Sequence, residues 1–170
     1  MVNGAPAVTV DDFNEVSIFK SFSKEELQSL ISNGSIIKAE PHSNVIIEGE
    51  LSWGIYIILS GFVGIFRQNK LTGQSWDIGQ LREGAFFGEI SLVDDDPRSA
   101  TVQALAACVF FYISKDVFVA FLSESHSRKL NFYLNCTATL VKRLRELDDN
   151  YVISQYQLWQ KALKKGGKLE

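Results

Sequence analysis

Residues 84–102 contain the residue types that could hold a phosphorylated sugar. Gly88 has no side chain and would let a ligand approach the backbone closely. Residues 89–93 could form one helical turn, whose first amides suit an anion. The guanidinium of Arg98 can donate to two phosphate oxygens, and the carboxylate of Glu89 can accept hydrogen bonds from sugar hydroxyls. These side chains together predict a site for a phosphorylated ribose.

The same segment also has a purely structural interpretation. A single helical turn is common in proteins, and Arg98 could instead pair with Asp94, Asp95 or Asp96. An ion pair of that kind at the surface would contribute under about 1 kcal/mol to stability. The residue types alone leave both interpretations open.

Two ordered motifs resemble those of cyclic-nucleotide-binding domains, the family of the catabolite activator protein, the regulatory subunits of cyclic-AMP-dependent protein kinase and cyclic-nucleotide-gated channels. Residues 87–92 (Phe-Gly-Glu-Ile-Ser-Leu) and 97–101 (Pro-Arg-Ser-Ala-Thr) are similar to the family's phosphate-binding cassette. Upstream, residues 56–61 (Tyr-Ile-Ile-Leu-Ser-Gly) and Gly49-Glu50 resemble its strand and earlier turn. The resemblance covers about residues 35–122 and implies a jelly-roll β-barrel.

The resemblance also implies a role for individual residues. Glu89 is expected to hold the ribose 2′-hydroxyl and Arg98 the cyclic phosphate, and Ser99 would add a hydroxyl to the phosphate or the base. Ser99 leans toward cyclic AMP, with cyclic GMP still possible. The remaining expected contacts are the backbone of Gly88, Ile90 and Ser91 around the phosphate, Val63 and Ile78 under the base, and Leu144, Leu147 or Asp148 from the C-terminal helix over it.

The elements that must position these residues fall into three zones, which predict a mainly β, α+β fold. Residues 1–34 are expected to be helical, with a capping box at Ser23 and Glu26 and a stop at Asn33-Gly34. Residues 35–114 form the predicted barrel, which contains the cassette 84–102, and residues 115–170 the C-terminal helices. The predicted strands are 35–39, 44–48, 54–59, 62–67, 74–81, 100–105 and 108–113, short β-rich runs separated by turn residues.

The C-terminal zone predicts two helices. Ser114 can cap the first, which runs to about Leu122, and a longer one begins near Ser125. Residues 148–150 (Asp-Asp-Asn) could kink the long helix or begin a separate one, and Gly166-Gly167 should end it. An apolar stripe at spacings of three and four could pack on the barrel or against the same helix of a second copy; its members are Leu130, Tyr133, Thr137, Leu140, Leu144, Leu147 and Tyr151.

Composition narrows the class of partner. A net charge of −3 argues against nucleic acid, whose binders usually carry a basic face. The cluster Lys161, Lys164, Lys165 and Lys168 is expected to be a solvated helix end, with anionic lipid or RNA as alternative contacts. Cys108 and Cys136 match no metal spacing and predict buried free thiols. No apolar run could span a bilayer and no signal peptide begins the chain, so we expect a cytoplasmic protein.

Other functions fit the sequence less well. Metal-dependent barrel enzymes usually need several inward histidines, but only His42 and His126 exist, and both are expected to be exposed. Ser91 is not in a nucleophile motif. A module that kept the fold but lost its ligand remains the main alternative, although both Glu89 and Arg98 are retained. No DNA-recognition helix fits after residue 148, so the chain is either a free-standing sensor or part of a longer protein, signalling to an unidentified effector when the helices close over the base.

Overall fold

In the computed structural model, which describes residues 8–51, 54–93 and 96–166, two four-stranded sheets form a β-barrel. All pairings are antiparallel. The strand order is β1-β8-β3-β6 in one sheet and β2-β7-β4-β5 in the other. The strands are β1 (Ser35–Ala39), β2 (Asn44–Ile46), β3 (Gly54–Ser60), β4 (Phe62–Gln68), β5 (Ser75–Arg82), β6 (Phe86–Phe87), β7 (Thr101–Ala104) and β8 (Cys108–Ser114). The predicted mainly β fold is confirmed.

Helices precede and follow the barrel. Two 3₁₀ turns, Val10–Phe13 and Ser17–Phe19, lead to α1 (Lys24–Ser32). The capping box is confirmed, since the Glu26 amide donates to the Ser23 hydroxyl over 3.2 Å and the Ser23 amide to the Glu26 carboxylate over 2.9 Å. The remaining helices are the short α2 (Ile90–Val93), α3 (Lys115–Ser123) and the 41-residue α4 (His126–Gly166).

Helix α4 is continuous through residues 148–150, so no separate helix begins there. It reaches Gly166, and Gly167 and Lys168 lie outside the described residues. Arg128 fixes its first turn: Nε lies 2.8 Å from a Glu26 carboxylate oxygen, and Nη1 donates to the Phe121 carbonyl over 2.6 Å. The start of α4 is therefore tied to both α1 and α3.

Two apolar clusters make up the core. One fills the barrel and includes Val63, Phe87 and Phe110. The other joins the N-terminal segment, the outer face of the first sheet and helices α3 and α4; its largest buried side chains include Phe13, Phe19, Phe111, Phe118 and Phe132. Because this second cluster contains buried residues from every helical segment other than α2, and Leu92 of α2 packs against it, the helices are held on the same side of the barrel.

The face of α4 that packs on the body differs from the apolar stripe in the sequence. Phe132 and Cys136 are buried, and Thr139 lies 2.9 Å from Ser17, oxygen to oxygen. In the predicted stripe only Leu140 is half-buried, while the other members, Leu130, Tyr133, Thr137, Leu144, Leu147 and Tyr151, are exposed. The interpretation that this stripe packs on its own barrel therefore holds for Leu140, which contacts the second core cluster, and is wrong for the other members.

The remaining sequence expectations concern single residues and spans. His42 and His126 are exposed, and both cysteines are free and buried. Among the described residues, no three His, Cys, Asp or Glu side chains come close enough to hold a metal ion. None of the helices within the described ranges combines the length and apolarity needed to cross a membrane.

Candidate functional site

Gly88 connects strand β6 to the short helix α2 with a left-handed backbone, at φ +86°. A Cβ atom at this position would lie 2.5 Å from the carbonyl oxygen of Gly54 and 2.8 Å from Nη1 of Arg98. Both the backbone angle and the space exclude a side chain. Glycine is therefore required here for the cassette to approach Arg98.

Arg98 is held in place through both its side chain and its backbone. The residue is 4% exposed, and Nη1 and Nη2 donate to the carbonyl oxygens of Gly88 and Gly54 over 3.0 and 3.2 Å. Its own amide donates to the Glu50 carbonyl over 3.0 Å, and its carbonyl accepts from the Gly49 amide over 2.9 Å. Burial lowers the pKa of Arg98, but an arginine stays protonated in proteins. The result is a fixed cation beneath the cassette.

Glu89 is a buried carboxylate with a cation from α4 beside it. The residue is 2% exposed, and Oε1 accepts from Nη1 of Arg143 at 2.5 Å. Arg143 also donates to the Phe86 carbonyl over 2.6 Å and lies 4.8 Å above the Phe86 ring. Burial raises the pKa of Glu89, and the positive charge of Arg143 opposes that rise. Arg143 thus links helix α4 directly to the cassette.

Glu89 and Arg98 line the same cavity, which lies between the second sheet, the cassette and α4. Its enclosed space is about 80 Å³, room for roughly two or three water molecules. This is enough for the charged end of a small ligand and too little for a whole nucleotide. The cavity is lined by Ile46, Ile65, Leu81, Phe87, Gly88, Glu89, Ile90, Arg98, Ser99, Ala100, Val102 and Arg143.

A second, open cleft of about 700 Å³ lies next to this cavity, between β5 and α4. The lining residues of the two spaces are neighbours on both elements. On β5, Gly79 of the cleft is two residues from Leu81 of the cavity, and on α4, Leu147 of the cleft is one helical turn beyond Arg143 of the cavity. Its lining residues are Asp77, Ile78, Gly79, Leu147, Asp148, Asn150, Tyr151 and Ser154. The two spaces together could accommodate a ligand with a charged head and a flat apolar remainder.

The structure brings most of the predicted cassette residues together. Gly88, Glu89, Ile90, Arg98 and Ser99 all line the cavity. Ser91 lies in α2. Of the acidic partners considered for Arg98, Asp94 and Asp95 lie outside the described residues.

The residues predicted around the base are placed differently. Val63 is fully buried in the apolar cluster of the barrel core. It is not among the described residues that line the cavity. Ile78 lies by the second cleft, together with Leu147 and Asp148. Leu144 is 57% exposed on another face of α4 and is not among the described residues that line either space.

Sequence reasoning missed Arg143, the residue that faces Glu89. The signal was present: Phe132, Cys136, Thr139 and Arg143 recur at spacings of four, three and four, which is one face of a helix. The longer stripe beside it is more apolar, and the contact face of α4 was therefore predicted to be that stripe. Ile65 was also missed, because both faces of β4 contain apolar residues, and so was Leu81 of β5.

Cys136 lies about two helical turns before Arg143, on the packed side of α4. Burial raises the pKa of its thiol to about 11, and the nearby charge of Glu89 acts in the same direction. The thiol is therefore protonated near neutral pH.

Comparison with known proteins agrees with this geometry. The family model of the cyclic nucleotide-binding domain matches residues 36–125. The type II regulatory subunit of cAMP-dependent protein kinase from Drosophila melanogaster is 26% identical over 164 residues, covering 92% of this chain and 42% of that protein. The cyclic AMP receptor protein of Thermus thermophilus is 32% identical over 105 residues, covering 61% and 46%. The chain thus spans less than half the length of these two curated relatives.

A solved structure resembles the fold over most of its length. The cyclic nucleotide-binding domain from Methylobacillus flagellatus KT is 26% identical, with a TM-score of 0.75, and the match covers 85% of this chain and 81% of that chain. The likeness therefore extends beyond the barrel into the flanking helices.

Proposed function

Because the chain belongs to the cyclic nucleotide-binding domain family, we propose that it is a regulatory sensor that binds cyclic AMP, with cyclic GMP as the less favoured ligand. One observation carries the proposal: a buried carboxylate and a buried guanidinium, Glu89 and Arg98, line one small cavity. A cyclic nucleotide offers these two groups a ribose hydroxyl and a singly charged phosphate. The two curated relatives named above are a cAMP-dependent kinase subunit and a cyclic AMP receptor.

The charged end of the nucleotide occupies the cavity. Arg98 pairs with the cyclic phosphate, which the backbone of Gly88, Ile90 and Ser91 surrounds, while Glu89 accepts from the ribose 2′-hydroxyl. Neutralising a phosphate in a partly dry site requires a group that stays charged, and arginine meets that requirement. The position of Ser99 at the cavity wall allows its hydroxyl to reach the phosphate or the base.

The base extends out of the cavity, since the enclosed space of about 80 Å³ is too small to hold it. It crosses Ile65 and Leu81 and reaches the cleft between β5 and α4, where Ile78 and Leu147 supply apolar surface. Asp148 at this cleft can accept a hydrogen bond from an exocyclic amino group. Ser99 favours cyclic AMP by its similarity to bacterial sensors of that nucleotide.

The signal passes from the cassette to α4 through Arg143. A ribose hydroxyl that donates to Glu89 enters the place where Arg143 now donates. Ligand can move the helix only by binding more tightly when α4 is in one position than in the other. We expect hydrogen exchange to change at both the cassette and α4 on binding; a change confined to the cassette would contradict the coupling.

A second copy of the chain is the simplest receiver of that signal. The exposed side chains Leu130, Tyr133 and Leu144 form a seam of the kind that joins two helices. Sedimentation should show a dimer that Leu130→Glu/Leu144→Glu dissociates. A monomeric wild-type chain would instead indicate that α4 contacts a different effector.

Titration calorimetry of Arg98→Ala with cyclic AMP tests the site. Truncating one member of a buried charge pair costs roughly 2–5 kcal/mol, which corresponds to a loss of about thirtyfold to several thousandfold in affinity. Arg82→Ala is the matched control, because Arg82 is an exposed arginine over the Phe62 ring. Equal affinity of wild type and Arg98→Ala would refute the assignment.

A fold-only module that binds no nucleotide is the competing function. Thermal unfolding with millimolar cyclic AMP or cyclic GMP separates the two, since any ligand that binds the folded state raises the midpoint. The larger shift identifies the preferred base, and no shift with either supports the fold-only module. We propose binding without chemistry on the nucleotide, in the cytoplasm, where the free thiols Cys108 and Cys136 would stay reduced.

A further inference from the structure

The last part of helix α4 has a charge unlike that of the rest of the chain. Residues 150–166 contain no Asp or Glu and three lysines, although the whole chain has a net charge of −3. The change is abrupt, because Asp148 and Asp149 directly precede this segment. We call residues 151–164 the distal segment; it is a local cationic region attached to an acidic protein.

The distal segment is amphipathic, with an apolar side and a polar side. At 100° per residue, its apolar side chains occupy one arc of roughly 160°. Lys161 and Lys164 lie on the opposite side, with Gln157 between them. Ile153 is the single large apolar residue on the polar side, and Gln155 the single polar one on the apolar side. The apolar arc consists of Tyr151, Val152, Tyr156, Leu158, Trp159, Ala162 and Leu163.

The apolar arc has no cover within the part of the protein that the structure describes. Every residue of the distal segment is exposed except Gln160, which is half-buried. Trp159 is 62% exposed and Leu158 57%. The segment extends for about 20 Å at 1.5 Å per residue. A continuous apolar surface of this length marks an interaction site.

Aromatic and charged side chains together indicate which surface covers it. Trp and Tyr prefer the boundary between lipid and water, and the arc contains three of them, Tyr151, Tyr156 and Trp159. Lysines on the opposite face match helices that lie flat on anionic bilayers. A two-stranded helix pair buries a narrower stripe, so a second copy would leave part of this arc in water.

We infer that the distal segment binds an anionic lipid surface, lying in its plane with Trp159 toward the acyl chains and Lys161 and Lys164 toward the headgroups. Asp148 and Asp149 mark where the contact ends, because their charge is repelled by such a surface. The barrel would then be held beside the membrane. This inference is independent of which nucleotide the site binds.

Co-sedimentation of the full chain with vesicles tests the inference. We expect binding to phosphatidylcholine vesicles containing about one third phosphatidylserine, and at least roughly tenfold weaker binding to phosphatidylcholine alone. Raising salt from about 0.1 M to about 0.5 M should weaken the binding. Lys161→Glu/Lys164→Glu should lower it roughly tenfold or more, while Lys20→Glu/Lys70→Glu, the same charge change at other exposed lysines, should leave it unchanged.

A variant of the apolar face separates lipid from protein partners. Trp159→Ser should weaken vesicle binding and leave the sedimentation of the chain without lipid unchanged. The inference is overturned if no vesicle binds, if both lysine pairs act equally, or if Trp159→Ser dissociates an oligomer while vesicles have no effect. Binding to a single-stranded RNA but not to vesicles would overturn it as well. Thermal unfolding of each variant checks that the barrel is intact.

Discussion

Replacing Arg143 with methionine should destabilise the protein by removing the cation that faces a buried carboxylate. Glu89 is 2% exposed, and its partner's side chain is 26% exposed. Removing one member of a buried ion pair costs roughly 3–5 kcal/mol. Because Arg143 is partly in water, we take the lower end, a loss of about 3 kcal/mol in the free energy of unfolding. Methionine keeps an alkyl chain near the Phe86 ring, so the change is mainly one of charge.

The loss should depend on pH in a defined direction. Burial already holds the folded-state pKa of Glu89 above its ordinary value of 4.5, and the charge of Arg143 opposes that rise; without Arg143 the pKa rises further. A carboxyl whose folded pKa lies above its unfolded pKa loses stability as pH rises from the unfolded value through the folded one. The deficit of Arg143→Met should therefore be smaller at acidic pH, where Glu89 is protonated in both proteins, than at mildly alkaline pH.

Urea unfolding at about pH 5 and about pH 8 measures this effect. Arg145→Met is the matched control, since Arg145 is an exposed arginine on the same helix. A double-mutant cycle with Glu89→Gln gives the coupling between the two side chains, which should account for most of the loss near pH 8. An equal deficit at both pH values, or a coupling near zero, would show that Arg143 acts by packing and that the reasoning from charge is wrong.

Two further predictions concern the cassette. Gly88→Ala should lower the affinity for cyclic AMP at least roughly tenfold by calorimetry, because its Cβ would meet the Gly54 carbonyl and Arg98 at 2.5 and 2.8 Å. Gly73→Ala is the control, since Gly73 has φ +70° and open space around it. This control should lose only about 1–2 kcal/mol of stability and should bind cyclic AMP as wild type does. The affinity of the wild-type protein for cyclic AMP should also weaken as pH falls toward the raised pKa of Glu89, because a protonated carboxyl accepts poorly from a hydroxyl. Glu89→Gln should make the affinity less dependent on pH. Parallel plots of affinity against pH for the two proteins would contradict the role of the carboxylate.

The sequence predicted the elements better than the surroundings of the base. Seven strands were located from short β-rich runs and turn signals, six of them, including β1 at Ser35–Ala39, within a residue at each end. β6, with only Phe86 and Phe87, was missed because two residues cannot display a period. The cassette was predicted from the resemblance of residues 87–92 and 97–101 to the family's motif. Five of its residues meet at one cavity: Gly88, Glu89, Ile90, Arg98 and Ser99.

Contacts between distant elements could not be predicted in this way. Arg143 is 54 residues from Glu89, and its role depends on how α4 is rotated on the barrel. That rotation is decided by which of two apolar faces finds a partner: Phe132 and Cys136 became buried, while the richer stripe stayed exposed. Similarly, Val63 lies in the core and Ile65 at the cavity, although the two residues share one face of β4 and differ only in their position along the strand.

The reactivity of the Cys136 thiol can report on the release of helix α4 from the rest of the protein. It lies buried between α4 and the body and ionises only at about pH 11, so alkylating reagents cannot react with it while the helix is docked. Cys108 is enclosed in the other core cluster and is exposed only when the barrel itself opens. The rate of alkylation at Cys136 relative to Cys108 therefore measures how often α4 undocks while the barrel stays folded. The measurement needs no label introduced into the chain.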